Sequence, residues 1–151
     1  TIRKQPPITL EEHGSDVLLV FQAPGIQEWK IGAPIQPTIK KGGTAGRRIL
    51  LSWDRKGKRR EDFDIINTVQ CYPGADGTRD IEPSQDSRSA CIRRLKSVFE
   101  KNRYAKVISF GDLAGCAIDL ILNNETQYKF EHIKAVHPNG GCKNEYLDSL
   151  W

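Results

Sequence analysis

The chain has no methionine, only four cysteines, and no apolar run longer than a strand. The longest apolar stretches, such as Val17-Leu18-Leu19-Val20-Phe21, fall well short of the roughly 18 residues of a membrane span. At the start, Arg3 and Lys4 run into Gln5-Pro6-Pro7 with no apolar block behind them, so no secretory leader is expected. A chain that begins with Thr and holds no Met reads as a trimmed or truncated form. Cys71, Cys91, Cys116 and Cys142 make neither a C-x-x-C pair nor a zinc-finger spacing. They read as reduced thiols of an intracellular protein without a disulfide framework, and with no span-length apolar run no membrane contact is expected. There is no G-x-G-x-x-G and no phosphate-loop signature, which argues against an unrelated doubly wound nucleotide-binding protein.

What is present fits one soluble domain. The 151 residues are 38% hydrophobic and 28% charged, enough for a single core and too few for two. The net charge of +4 is weak evidence for an anionic partner, but its distribution is uneven. Nine of the 23 basic residues fall between positions 40 and 60, and only Asp54 opposes them there. Such a run either tracks a phosphate backbone or keeps a loop solvated.

Hydrophobic patterning gives the order of elements. Residues 1–16 are polar, contain two prolines and read as an N-terminal arm; residues 17–151 read as one domain. Strands are expected at 17–21, 63–69, 105–110 and 128–136. Helices are expected at 44–53, 84–102 with Ser84 as N-cap, 111–122, and briefly within 142–151. The Gly- and Pro-rich stretch 22–46 and the stretch 72–83 read mostly as loop. Strands alternating with helices imply an α/β fold, three layers around a central four-stranded, mainly parallel sheet. Ligands of such sheets bind beyond the carboxyl ends of the strands. The unusual sequence lies there, in loops 22–46, 70–83, 111–112 and 137–143.

Five motifs occur in order across those loops. They are Phe21-Gln22-Ala23-Pro24-Gly25, Gly32-Ala33-Pro34, Gly43-Thr44-Ala45-Gly46, Asn67-Thr68-Val69-Gln70-Cys71-Tyr72-Pro73 and His137-Pro138-Asn139. With Arg79-Asp80, Ser89-Ala90-Cys91 and Ile108-Ser109-Phe110-Gly111, this set resembles the uracil-DNA glycosylase superfamily, closest to its iron–sulfur branch, over about residues 17–140. The resemblance implies a DNA glycosylase that hydrolyses the N-glycosidic bond of a flipped-out uracil or modified pyrimidine. It implies Gln22 and His137 as catalytic residues, with His137 stabilising the departing base anion as an oxyanion hole would. Asn67 would read the base edge through a donor and an acceptor side by side, with Ala23, Pro24, Gly25, Ile35 and Tyr72 around the base. From the residue alone, Asn67 also suits capping of its own loop. DNA contact would fall to Lys40, Lys41, Arg47, Arg48, Lys58, Arg59 and Arg60, and to Asn139, Gly140, Gly141 and Lys143. The partner would be DNA, bound by a monomer.

Three departures from the family pattern stand out. Gln22 replaces a Glu, and an amide cannot take a proton from water. Ile35 follows Pro34 where the family has a stacking Phe, so Phe21, Trp29 or Tyr72 is left to supply an aromatic face. The loop there is longer, which suggests room for a base larger than uracil. Cys71 and Cys91 match two of four cluster ligands, and no Cys precedes them. No metal or other cofactor is therefore expected, unless a Cys pair lies upstream of residue 1 in a longer form. The rival reading is a catalytically weak or inactive protein of the same fold that binds DNA with modified or damaged bases; Gln22 and Ile35 favour it.

Overall fold

The computed structural model describes residues 5–36, 45–77, 79–138 and 142–151. Its frame is a four-stranded sheet of β1 (Val17–Phe21), β2 (Asp64–Asn67), β5 (Lys106–Phe110) and β6 (Glu131–Ala135), in the order β2-β1-β5-β6. Every neighbouring pair is parallel. A short antiparallel hairpin, β3 (Ala75–Asp76) with β4 (Arg79–Asp80), lies outside it. Helices α1 (Ile26–Ile31) and α2 (Ala45–Lys56) join β1 to β2, α3 (Gln85–Lys101) joins β2 to β5, α4 (Asp112–Asn124) joins β5 to β6, and α5 (Asn144–Asp148) follows. The fold is α/β with helices on both faces of the sheet, as expected.

The unbroken apolar run of β1 has a direct cause. A central parallel strand is covered on both sides, so alternate residues enter different cores. Leu18 and Val20 pack with Leu95, Phe99 and Ile118 from α3 and α4. Leu19 and Phe21 pack with Ile49, Trp53 and Leu147 from α2 and α5. The chain moves from β1 to β2 on one side and then crosses back to β5 on the other. The order thus reverses at β1 and β5, the place where such sheets open a crevice.

Several expected boundaries shift. Residues 26–31 form a helix inside the stretch read as loop. Gly25 starts it in extended conformation, Gly32 ends it at φ 71°, and Trp29 is its buried anchor. The hairpin β3–β4 interrupts the loop expected at 72–83. β6 begins at Glu131 rather than at residue 128, because Tyr128 and Phe130 turn to pack on Phe99, with ring centroids 5.8 and 5.1 Å away.

The described part of the N-terminal stretch is not a detached arm. Ile8 is buried and its N–H bonds Gln70 O. Glu11 exchanges two backbone hydrogen bonds with Ile65 and so covers the outer edge of β2. Buried Asp64 fastens this segment. Its carboxylate accepts from the backbone N–H of His13 and Ser15 and from the Tyr104 hydroxyl at 2.7 Å. Burial and the Asp64 carboxylate push the Tyr104 hydroxyl far above its ordinary pKa. Removing that hydroxyl leaves a buried carboxylate short of one donor. Tyr104→Phe is expected to lower unfolding stability by about 1–3 kcal/mol in urea titration.

Candidate functional site

The parallel sheet brings four strand ends to one edge. Gln22 follows β1, Thr68 follows β2, Gly111 follows β5, and Val136-His137 follow β6. Register places Asn67 opposite Phe21. Phe21 stacks on Phe110 with ring centroids 4.6 Å apart and planes 4° off parallel, an arrangement worth about 0.5–1.5 kcal/mol beyond area burial. The loop after β2 is tied to the loop after β1: Thr68 donates through N–H and Oγ1 to Phe21 O, and Val69 N–H donates to Gln22 O at 2.9 Å.

A cavity of about 200 Å³ opens at this junction. Of the residues expected around a base, Gln22, Ala23, Gly25, Ile35, Asn67 and His137 line it. Pro24 is buried outside the lining, and Tyr72 does not reach it. Phe21, the aromatic residue of the lining, is 6% exposed and stacks on Phe110, and Ile35 is itself buried at 5% exposure. Trp29 is buried outside the lining.

Asn67 is only 1% exposed. Its Nδ2 donates to Pro34 O at 3.0 Å, whereas its Oδ1 is buried with no partner among the described residues. The amide is therefore fixed by one end, and its other end is a buried acceptor without a partner among the described residues. Gly46 packs closely against the wall. A Cβ there would lie 3.2 Å from Gln36 N, so any side chain at the first turn of α2 would press on the 35–36 segment and make it give way slightly.

The basic stretch is not one surface. Arg60 pairs with Glu11 at 2.6 and 2.7 Å and donates to Gln36 O at 2.8 Å and Ile35 O at 3.1 Å. It supports the cavity wall instead of facing outward. Beside Arg60, the Glu11 carboxyl is held below its ordinary range, although burial opposes this. Arg48 crosses to the other side, donating to Pro138 O, Cys142 O and Asn144 Oδ1. It thus ties Pro138 to Cys142 and Asn144. Arg47 is half-buried. Lys58 and Arg59 are exposed between the end of α2 and the start of β2. That is the amino edge of the sheet, since α2 runs back roughly 15 Å from Gly46 to Lys56. Lys143 is exposed just after the turn. Lys40, Lys41, Asn139, Gly140 and Gly141 lie outside the described residues.

His137 is half-buried against Gly111, where a Cβ would sit 3.5 Å from the His137 Cβ and 3.6 Å from its Cδ2. Gly111 also has φ +88°, which disfavours any side chain. Burial holds the His137 imidazole below its ordinary pKa, which favours the neutral ring. His137 and Gln22 also border a larger cleft of about 710 Å³ between α3 and α4.

Two other groupings have no such opening. Ser109 Oγ lies 2.7 Å from His132 Nε2, and His132 Nδ1 lies 3.2 Å from Asp119. This chain looks like a nucleophile with its base, but Ser109 is fully buried and Asp119 is also paired with Lys134. Cys71 and Cys91 are near enough to interact: burial first, then Cys91, pushes the Cys71 thiol up, opposed by Arg94. Cys116 is exposed and Cys142 lies after the His137 turn. Among the described residues no three His, Cys, Asp or Glu side chains group to hold a metal ion. Two thiols do not fit a four-thiolate cluster. No helix among the described residues is long and apolar enough to cross a membrane.

Sequence reasoning missed Glu28, which also lines the small cavity. The available signal was Gly25 and Gly32 bracketing one helical turn and a half around Trp29. No protein-family model matches the chain, and no curated protein matches it.

Two expectations follow. Arg48→Ala is expected to lower unfolding stability by about 1–3 kcal/mol in urea titration, and Arg48→Lys not to restore it, because one ammonium cannot span two carbonyls as a guanidinium fork does. Burial depresses both His132 and His137. The unfolded chain therefore binds more protons than the native one below about pH 6.5. NMR titration should give midpoints below about 6.5 for both rings, and stability should fall as pH drops from 7 towards 5.

Proposed function

We propose that this protein is a DNA glycosylase that binds one flipped-out base in the small cavity and hydrolyses its bond to deoxyribose. The observation that carries the reading is the combination in one cavity of a buried, unpartnered Asn67 Oδ1, the aromatic residue Phe21, and a His137 whose burial favours the neutral ring. At about 200 Å³ the space is below the ~300–1,000 Å³ of drug-sized ligand sites, and suits a single base better than a whole nucleotide. A base inside a duplex reaches such a recess only by leaving the stack.

The chemistry assigns each group a task. An imide N–H, as in uracil, donates to Asn67 Oδ1; a ring nitrogen without hydrogen would face that oxygen as a second acceptor. As the C1′–N bond breaks, the electron pair goes to the base. A neutral imidazole N–H of His137 then donates to the developing anion without first having to gain a proton. The Gln22 side-chain oxygen accepts from the attacking water and orients it, but takes no proton. Lys143 beside the His137 turn supports phosphate contact, whereas Lys58 and Arg59 are on the far edge of the sheet.

Gln22 in place of a carboxylate favours a second reading, a binder of DNA with modified or damaged bases that does not cleave. One experiment separates them. Labelled oligonucleotides carrying uracil opposite A or G, uracil in a single strand, hypoxanthine, or enlarged pyrimidines are incubated with the protein and then treated with alkali. Strand breaks that fall about 10²–10³-fold in rate in His137→Ala, and that Asn67→Ala also suppresses, are expected. Salt-sensitive binding with no breaks at any base would favour the second reading.

A further inference from the structure

Gln22 leaves the reaction without an acceptor for the water's proton, yet the lining of the cavity includes an acidic residue. Among its described lining residues Glu28 is the one acid, in company with Gln22, Asn67 and His137. It lies on the first turn of α1, which begins immediately after the Gln22-Ala23-Pro24-Gly25 loop. Its backbone oxygen is occupied by Gly32 N at 2.8 Å and Ala33 N at 3.2 Å. Its carboxylate forms no hydrogen bond or ion pair among the described residues.

That freedom sets it apart. Other partly buried carboxylates of this protein are engaged: Glu11 by Arg60, Asp148 by Arg55 and Ser52, Asp119 by Lys134. A partly buried, uncommitted carboxylate beside an oriented water is the arrangement general-base catalysis requires.

We propose that Glu28 is the catalytic base of this site and does the work that position 22 cannot; the proposal rests on the glycosylase reading above. The C1′–N bond breaks with its electron pair leaving on the base, and a cationic sugar forms at C1′. The water held by Gln22 adds through its oxygen to C1′. One of its protons passes to Glu28, giving a neutral abasic sugar. The base anion stays hydrogen-bonded to His137 until it takes a proton from solvent. Before the proton moves, the Glu28 carboxylate also offsets positive charge on the sugar.

The test is single-turnover excision at saturating protein, on whichever oligonucleotide of the panel the wild type cleaves, with binding measured in parallel. Glu28→Gln is expected to slow excision about 100-fold or more with oligonucleotide affinity within threefold. Glu28→Asp, which keeps a carboxylate, should retain more activity than Glu28→Gln. The double variant Gln22→Glu/Glu28→Gln should recover at least tenfold over Glu28→Gln by returning a carboxylate to the same cavity. Thermal melting of each variant checks that it is folded. Excision by folded Glu28→Gln within threefold of wild type overturns the proposal and leaves the glycosylase reading intact. Equal losses in Glu28→Asp and Glu28→Gln, with no recovery in the double variant, also overturn it. A wild type that cleaves nothing overturns the glycosylase reading itself, and this proposal with it.

Discussion

In a sheet of four parallel strands each crossover returns over a face, and a face covered by crossovers has to be apolar. That constraint explains why β1 has no polar residue and why its neighbours divide cleanly into two cores. It also decides where polar chemistry is possible. Side chains within the strands are committed to packing, and the first positions free of it are those just past the carboxyl ends. Asn67, the last residue of β2, sits at that limit, as do Gln22 and His137 just beyond theirs. The stack of Phe21 on Phe110 closes the core beneath them, so the cavity has a rigid floor made of the same residues that end the strands.

Two of the arginines read as a surface for phosphate turn inward. Charge in a linear sequence carries no direction, and a guanidinium with five donors is as well suited to loose carbonyls as to phosphates. The carbonyls of Ile35 and Gln36, and those of Pro138 and Cys142, come from irregular segments without sheet or helix partners. Arg60 and Arg48 satisfy them. One of these side chains stands behind the cavity wall at Ile35 and Gln36, and the other links Pro138, next to His137, to Cys142. Backbone groups buried in loops need partners, and here long cations from neighbouring segments supply them.

The legible part of the sequence was the part under strong periodic constraint. The apolar run of β1, the helical spacing of Cys91, Leu95 and Val98, and the Ser84 cap are each set by local physics, and the structure has them where expected. The cavity was legible through short motifs at strand ends, since Asn67, Gln22, Ile35 and His137 do meet. What escaped depends on tertiary partners. Helix α1 is too short to show a period, and its two glycines resemble loop punctuation. Tyr128 and Phe130 alternate like a strand but are drawn off by Phe99. The lead-in looked like an arm because its polar residues gave no sign that Asp64 would gather its amides.

Desolvation unites the features of the cavity. The burial that depresses His137 also makes an acceptor without a protein partner costly, about 1–3 kcal/mol for an oxygen such as Asn67 Oδ1. A ligand that presents an N–H there gains a hydrogen bond in a medium of low dielectric. One that presents an acceptor adds a second unsatisfied oxygen, and such polar mismatches discriminate far more strongly than a missing methylene does. Burial also holds the imidazole below its ordinary pKa, so in the proposed reaction it would offer an N–H donor to an anion that appears only as the bond breaks. Selectivity for an imide edge and stabilisation of the leaving group are therefore not separate devices in the proposed reaction. Both would follow from burying Asn67 and His137 at one small cavity lined by Phe21, Ile35 and the first turn of α2, where Gly46 stands close to Gln36.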